Sequence, residues 1–132
     1  MSINLGSNEV KLDTGSMIVT ETDSKGMITF ASNDFCKIAG YNKEELLGQP
    51  HNMIRHSFMP KVAFDDLWNT VKSGDKWSGT VINRTKNNGY YWVKATVYPS
   101  QNSDGSIKYI SVRVKPSKED IDNAIALYPT MR

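Results

Sequence analysis

Hydrophobic and polar positions change period twice along this chain. Residues 1–16 mix Ser, Asn, Gly and charge with few apolar anchors, the pattern of an arm or cap. Two short β-prone runs follow, Met17 to Glu21 and Met27 to Phe30, separated by Asp23-Ser24-Lys25-Gly26, which suits a turn with one residue at positive φ. The spacing then becomes helical. Asn33 can cap a short helix carrying Phe35, Ile38 and Ala39 that stops at Gly40. Asn42 and Glu45 stand at capping-pair spacing and open a helix of about one turn that ends at Gly48. Beyond Pro50 and the run His51 to His56, Phe64, Leu67, Trp68 and Val71 recur at i, i+3, i+4, i+7, which predicts a stronger helix up to Ser73-Gly74.

From Lys76 onward the period is two. Tyr91, Val93, Ala95 and Val97 share one face of a strand, and Ile110, Val112 and Val114 share one face of the next. Asn87-Asn88-Gly89 and Asn102-Ser103-Asp104-Gly105 separate three strands, near 77–85, 90–98 and 107–115, as an antiparallel meander. The order ββααααβββ predicts an α+β fold: a five-stranded antiparallel sheet with helices inserted between strands two and three, covering one face and leaving the other in need of a partner. After Pro116, Ser117 and Asp120 stand at capping-box spacing ahead of Ile121, Ala124, Ile125 and Tyr128. Residues 117–132 therefore read as a linker helix able to carry a signal outward, ended by Pro129 and pointing to a piece of a longer protein; the domain itself spans 17–116.

Composition narrows the function classes. With 132 residues, 39% hydrophobic and 23% charged, the chain has the profile of one globular domain. No apolar run approaches the ~18 residues of a membrane span and the start lacks a signal-peptide pattern, so a cytoplasmic domain is expected. A formal charge of +2 is too small for a nucleic-acid phosphate field to dominate. The single cysteine, Cys36, excludes an internal disulfide and suits a reducing compartment.

Little in the chain points to turnover. On one helix His51 and His56 would lie about 140° apart around the axis, a poor metal pair, and a haem reading has no paired ligand or attachment motif. Cys36 sits beside Phe35 and Ile38, as a packed side chain does, and Asp65 and Asp66 point about 100° apart, as on a solvated face. There is no phosphate-binding Gly-rich loop or nucleophile elbow. What remains is a group of donors and cations, Arg55, His56 and Lys61, near Trp68, suited to an anionic aromatic ligand. On the third strand Trp77, Gly79, Val81 and Asn83 share a face, placing an amide in an otherwise apolar row. Asn83 either meets the imide edge of a flavin or serves as a strand cap or backbone partner.

Several runs, in order, resemble a PAS domain over about residues 17–116: Ala31-Ser32-Asn33-Asp34-Phe35, Ile38-Ala39-Gly40-Tyr41, Glu45-Leu46-Leu47-Gly48-Gln49, and Asn83-Arg84-Thr85-Lys86-Asn87-Asn88-Gly89. Gly48 to His56, then Met59-Pro60-Lys61, Trp68 and Trp77-Ser78-Gly79, is similar to the FAD-binding PAS domain of the aerotaxis (energy-taxis) receptor family. The resemblance implies the PAS fold and a redox sensor, not an enzyme, whose FAD is not consumed and whose redox state biases a chemotaxis signalling partner in the same or another chain. It also implies a cytoplasmic domain tethered to the inner membrane through the full receptor or a partner.

Matched position by position, the family's cofactor residues fall on Arg55, His56, Trp68 and Asn83, and Asn33 and His51 also match; the planar donor fork of Arg55, which reaches two oxygens of a pyrophosphate, assigns that residue to phosphate. No metal is expected. Where the family usually reads Arg-His-Pro-Asp-Met-Pro, this chain has Arg55-His56-Ser57-Phe58-Met59-Pro60, so Phe58 either alters flavin affinity or covers the adenine or ribose. Cys36 lies well before the position of the reactive cysteine in light-sensing LOV relatives, so no photoadduct is expected. The alternatives are an apo PAS module that dimerises through its sheet and terminal helices, and a haem gas sensor.

Overall fold

Alternating apolar and polar residues do build a sheet. The computed structural model describes residues 8–13 and 15–131. Strands β1 (Ile18–Thr22), β2 (Ile28–Ala31), β3 (Trp77–Arg84), β4 (Tyr90–Gln101) and β5 (Ile107–Val114) form one sheet in the order β2-β1-β5-β4-β3. Every neighbouring pair is antiparallel. Between β2 and β3 come α1 (Asn33–Ala39), α2 (Lys43–Leu46), a 3-10 turn (His51–Ile54) and α3 (Lys61–Lys72). The α+β architecture is the expected one.

Local differences have local causes. β4 extends to Gln101 through Pro99, past the expected end near 98. β3 meets β4 only from Trp77 opposite Val97 onward, so Pro99 falls where β4 has no β3 neighbour and its missing N–H costs no bond on that side. Ser32, not Asn33, caps α1: its hydroxyl accepts from Phe35 N (3.3 Å) and from Val19 N (3.1 Å), so one side chain stops the strand and starts the helix. α1 ends at Gly40, whose φ of 80° is the left-handed form a C-terminal glycine adopts without strain. In α2, the Glu45 carboxylate reaches back to Asn42 N at 3.0 Å.

The two faces of the sheet are covered differently. Helix α4 (Lys118–Leu127) and a 3-10 turn (Tyr128–Met131) fold back over the outer face beside β3. Ala124 and Tyr128 are buried there, and the Tyr128 hydroxyl donates to Thr80 O. The exit helix is thus packed on the domain rather than pointing away from it. Phe58 joins this layer, with its ring 6.2 Å from Trp92 and 6.3 Å from Tyr128 between centroids. Of the arm, the described residues dock: Val10 N donates to Tyr90 O (2.7 Å), Tyr90 N to Asn8 O (3.0 Å), and Leu12 is buried. Residues 1–7, Thr14 and Arg132 lie outside the described residues.

Candidate functional site

On the inner face the helices do not close onto the sheet. Phe35, Leu46, Ile54 and Val93 belong to the main core, whereas Val71 of α3 packs on Val97 and Tyr109 in a second, smaller cluster. Between the two lies a cavity of about 320 Å³, near the lower end of the ~300–1,000 Å³ typical of small-molecule sites. Its walls include Ile54, Phe64, Leu67, Trp68, Val81 and Ala95. Four cationic side chains, Lys25, Arg55, Lys72 and Arg113, also line it, and among the described lining residues there is no Asp or Glu.

The cavity floor is polar because β5 presents Tyr109, Ser111 and Arg113 inward. The apolar row Ile110, Val112 and Val114, legible in the sequence as one face, points the other way, half-exposed or exposed. Arg113 is only 2% exposed. Its Nε donates to Ser111 Oγ (3.0 Å), and its Nη2 donates to Thr20 Oγ1 and to His51 Nε2 (2.7 Å). Among the described residues Nη1 meets no hydrogen-bond acceptor, and the Tyr91 hydroxyl is a second buried polar atom with no such bond. The guanidinium carbon lies 5.1 Å from the centre of the Phe35 ring.

The electrostatics of the floor follow from this placement. Burial, with no carboxylate among the described ion pairs of Arg113, pushes its acidity up by lowering its pKa. Arginine only donates, so His51 Nε2 must carry a lone pair and the neutral ring holds its proton on Nδ1. Burial first, then the charges of Arg113 and Arg55, push the His51 pKa down to about 3. Burial raises the Tyr91 phenol to about 12, against smaller downward effects of Arg113 and Asn83. A buried cation with an unmet N–H and, among the described residues, no acid beside it is a costly arrangement that an anion or strong acceptor in the cavity would relieve.

The residues singled out in the sequence separate into two groups. His51, Arg55, Trp68 and Asn83 all line the cavity. Asn83 is 4% exposed, opposite Tyr91 in the sheet, and its backbone bridges to that of Arg55. The Arg55 guanidinium carbon lies over the Phe64 ring, 3.7 Å from its centre. Trp68 stands edge-on to Tyr109 at 5.3 Å between centroids. His56 and Asn33 lie elsewhere: His56 Nδ1 accepts from Phe58 N (3.0 Å) with its ring edge toward Tyr90, and Asn33 Oδ1 accepts from Lys43 Nζ (2.9 Å) on the surface of α1. Phe58 is buried against Trp92 and Tyr128, outside the cavity lining, so it does not cover a ligand from within. Asp66 is not simply solvated, because it accepts from Trp77 Nε1 at 2.9 Å.

Arg113 was missed by sequence reasoning. Its signal was the phase of Tyr109, Ser111 and Arg113 opposite an apolar row, which in a strand with neighbours on both sides places a charge inside.

Comparisons with known proteins agree with this fold. A family model described as "PAS domain" matches residues 15–114. The aerotaxis receptor of Escherichia coli is 42% identical over 114 residues, 86% of this chain and 22% of the receptor. The nitrogen fixation regulatory protein of Klebsiella pneumoniae is 28% identical over 74% of this chain and 20% of its own length. The biofilm dispersion protein BdlA of Pseudomonas aeruginosa is 28% identical over 81% of the chain and 25% of its own length. The chain thus spans about a fifth to a quarter of these relatives. Among solved structures, the light state of the blue-light photoreceptor Aureochrome1 LOV superposes with a TM-score of 0.69 at 23% identity, covering 86% of this chain and 89% of that one.

Proposed function

The chain belongs to the PAS domain family, and on that premise we propose that it is a flavin-binding redox sensor domain of the aerotaxis receptor kind, holding FAD and biasing a chemotaxis signalling partner in the same or another chain. The observation that carries this reading is the cavity itself: apolar and aromatic walls, one deep amide, four cations and no acid among its described lining residues. That chemistry fits an anionic aromatic ligand and is a poor match for a neutral apolar one. The 42% identity to the E. coli aerotaxis receptor supports the same ligand class. A haem reading is weakened because the lone pair of His51 Nε2, the one imidazole lining the cavity, already receives Arg113.

When bound, the flavin supplies a ring whose charge and hydrogen-bonding pattern change with redox state. The chain's part is to feel that change. The Asn83 carboxamide can turn either its donor or its acceptor to the cavity, and Arg113 holds an unmet donor on the floor. Asn83 also stands beside Ile82, which is fully buried under the outer-face layer, and opposite Tyr91, next to the arm-pairing residue Tyr90. A reorientation at Asn83 therefore reaches both α4 and the arm through one strand pair. Switching requires the two redox states to favour two conformations unequally, typically by about 1–3 kcal/mol.

The test is the visible spectrum of the purified protein before and after dithionite, with the released cofactor identified by chromatography. Flavin bands that bleach, and released FAD, are expected. A colourless protein that takes up no added FAD overturns the reading in favour of an apo interaction module. Trp68→Ala should lower FAD retention, whereas Asn83→Ser should keep the flavin and change its potential.

A further inference from the structure

The four cavity cations are not equivalent, and their placement separates two tasks. Arg113 lies on the floor, engaged with Ser111, Thr20 and His51, where a solvated phosphate would have to shed its water entirely. The Arg55 guanidinium is laid on the Phe64 ring, and Asp65 on α3 acts on it electrostatically. Lys25 and Lys72 are different: both line the cavity, both are exposed, and neither takes part in an ion pair among the described residues. They stand at the mouth.

The mouth is a built rim. Lys25 rides on the β1–β2 turn, which Asp23 fixes by accepting from Lys25 N (2.9 Å) and Met27 N (3.0 Å) through Oδ1. The turn is tied to the 3-10 helix by His51 N donating to Gly26 O (3.0 Å). Gly26, at φ +84°, is next to the Trp68 indole, where a Cβ would be in ordinary contact at 3.5 Å from Cζ2. Lys72 ends α3 with Nζ 5.9 Å from the same indole's centre. Trp68 is therefore flanked by the turn that carries Lys25 and by Lys72 itself. Asp23 is the one acid on this turn, and its Oδ1 is spent on backbone amides. Ser24 and Asn52 add neutral donors to the same rim.

A cavity of about 320 Å³ takes one ring system with its attached chain rather than a whole dinucleotide, so the phosphate-bearing part of such a ligand must leave through this mouth. We propose that Lys25 and Lys72 form the phosphate clamp of the site, in the role that its donor fork suggested for Arg55. The assignment rests on the flavin reading and specifies which part of the ligand each cation meets: the lysines hold the phosphate ester, Arg55 packs beside the ring, and Arg113 faces the deepest part. Because both lysines are exposed, the attraction is screened by salt.

Fluorescence titration of the protein with FAD, FMN and riboflavin tests this, because the last has the ring and ribityl chain but no phosphate. In Lys25→Ala/Lys72→Ala, FAD and FMN should each bind about tenfold more weakly, the loss expected for two exposed ion pairs, with riboflavin affinity unchanged. Lys25→Arg/Lys72→Arg should restore FAD binding, and the salt dependence of FAD affinity should flatten in the double alanine variant. Arg55→Ala should weaken all three ligands alike. A double alanine variant that binds FAD as the unaltered protein does, or that loses riboflavin equally, overturns the clamp while leaving the flavin reading standing. An unaltered protein that takes up none of the three overturns the flavin reading and the clamp together.

Discussion

The two faces of one sheet solve opposite problems. On the outer face beside β3, Ile82, Trp92, Phe58, Ala124 and Tyr128 are all buried and form an apolar layer in which the Tyr128 hydroxyl is bonded to Thr80 O. On the inner face, alternate residues of the same strands leave a cavity whose floor holds a buried guanidinium with an unmet donor. A fold optimised for stability alone would treat both sides alike. Stability is invested on the outer face and spent on the inner one, as expected where a ligand completes the packing.

The sharpest way to break this contrast is to empty the outer layer. Trp92→Ala should destabilise the domain by about 3–5 kcal/mol, read from a urea or thermal transition. A much smaller loss would mean that the layer over β3 is not what holds the domain together.

Arg113→Met should act in the opposite sense. Replacing a buried cation that has no acid partner among the described residues by an apolar side chain of similar length removes a desolvation cost larger than its bonds to Ser111, Thr20 and His51 return, so it should raise the stability of the ligand-free protein while lowering flavin affinity, both measured on the same sample. A destabilised variant with unchanged affinity would place Arg113 among the structural residues.

The floor also carries a pH signature. The folded-state pKa of His51 is depressed from 6.5 to about 3, so between those values the unfolded chain binds a proton that the folded one refuses. Stability therefore falls as pH drops through this window, by at most ~1.4 kcal/mol per pH unit from this group. Carboxylates titrate in the same range, so the comparison is with His51→Gln, whose stability curve should be flatter between pH 6 and pH 4 by up to about that slope. Parallel curves would remove His51 from the floor's electrostatics.

The smallest effect sharpens the outer half of the contrast. Tyr128→Phe keeps the ring against Phe58 and removes only the bond to Thr80 O, which should cost about 1 kcal/mol in a denaturant titration. A cost near zero would mean that the latch is made by burial alone.

Much of the architecture was legible because its signals are local. The hairpin turn Asp23 to Gly26, the stop at Gly40, the apolar face of α3 and the alternation of β3 to β5 follow from backbone preference and side-chain period, and each lies within a few residues of its expected place. The family runs added His51, Arg55, Trp68 and Asn83, which do meet at one cavity. His56 and Asn33 matched the same runs equally well but belong to other neighbourhoods, because a motif fixes residue type and order and not which way a loop or helix turns its side chains.

The elements, their antiparallel order and the polar chemistry available to a site can be read along the chain, since these depend on neighbours a few positions apart. Which face of β5 looks inward, where Arg113 goes, that Phe58 joins the outer layer and that α4 folds back on the sheet are set by packing between distant segments. Those outcomes depend on residues dozens of positions apart competing for the same buried volume, and the period of one strand does not record which of its two faces wins.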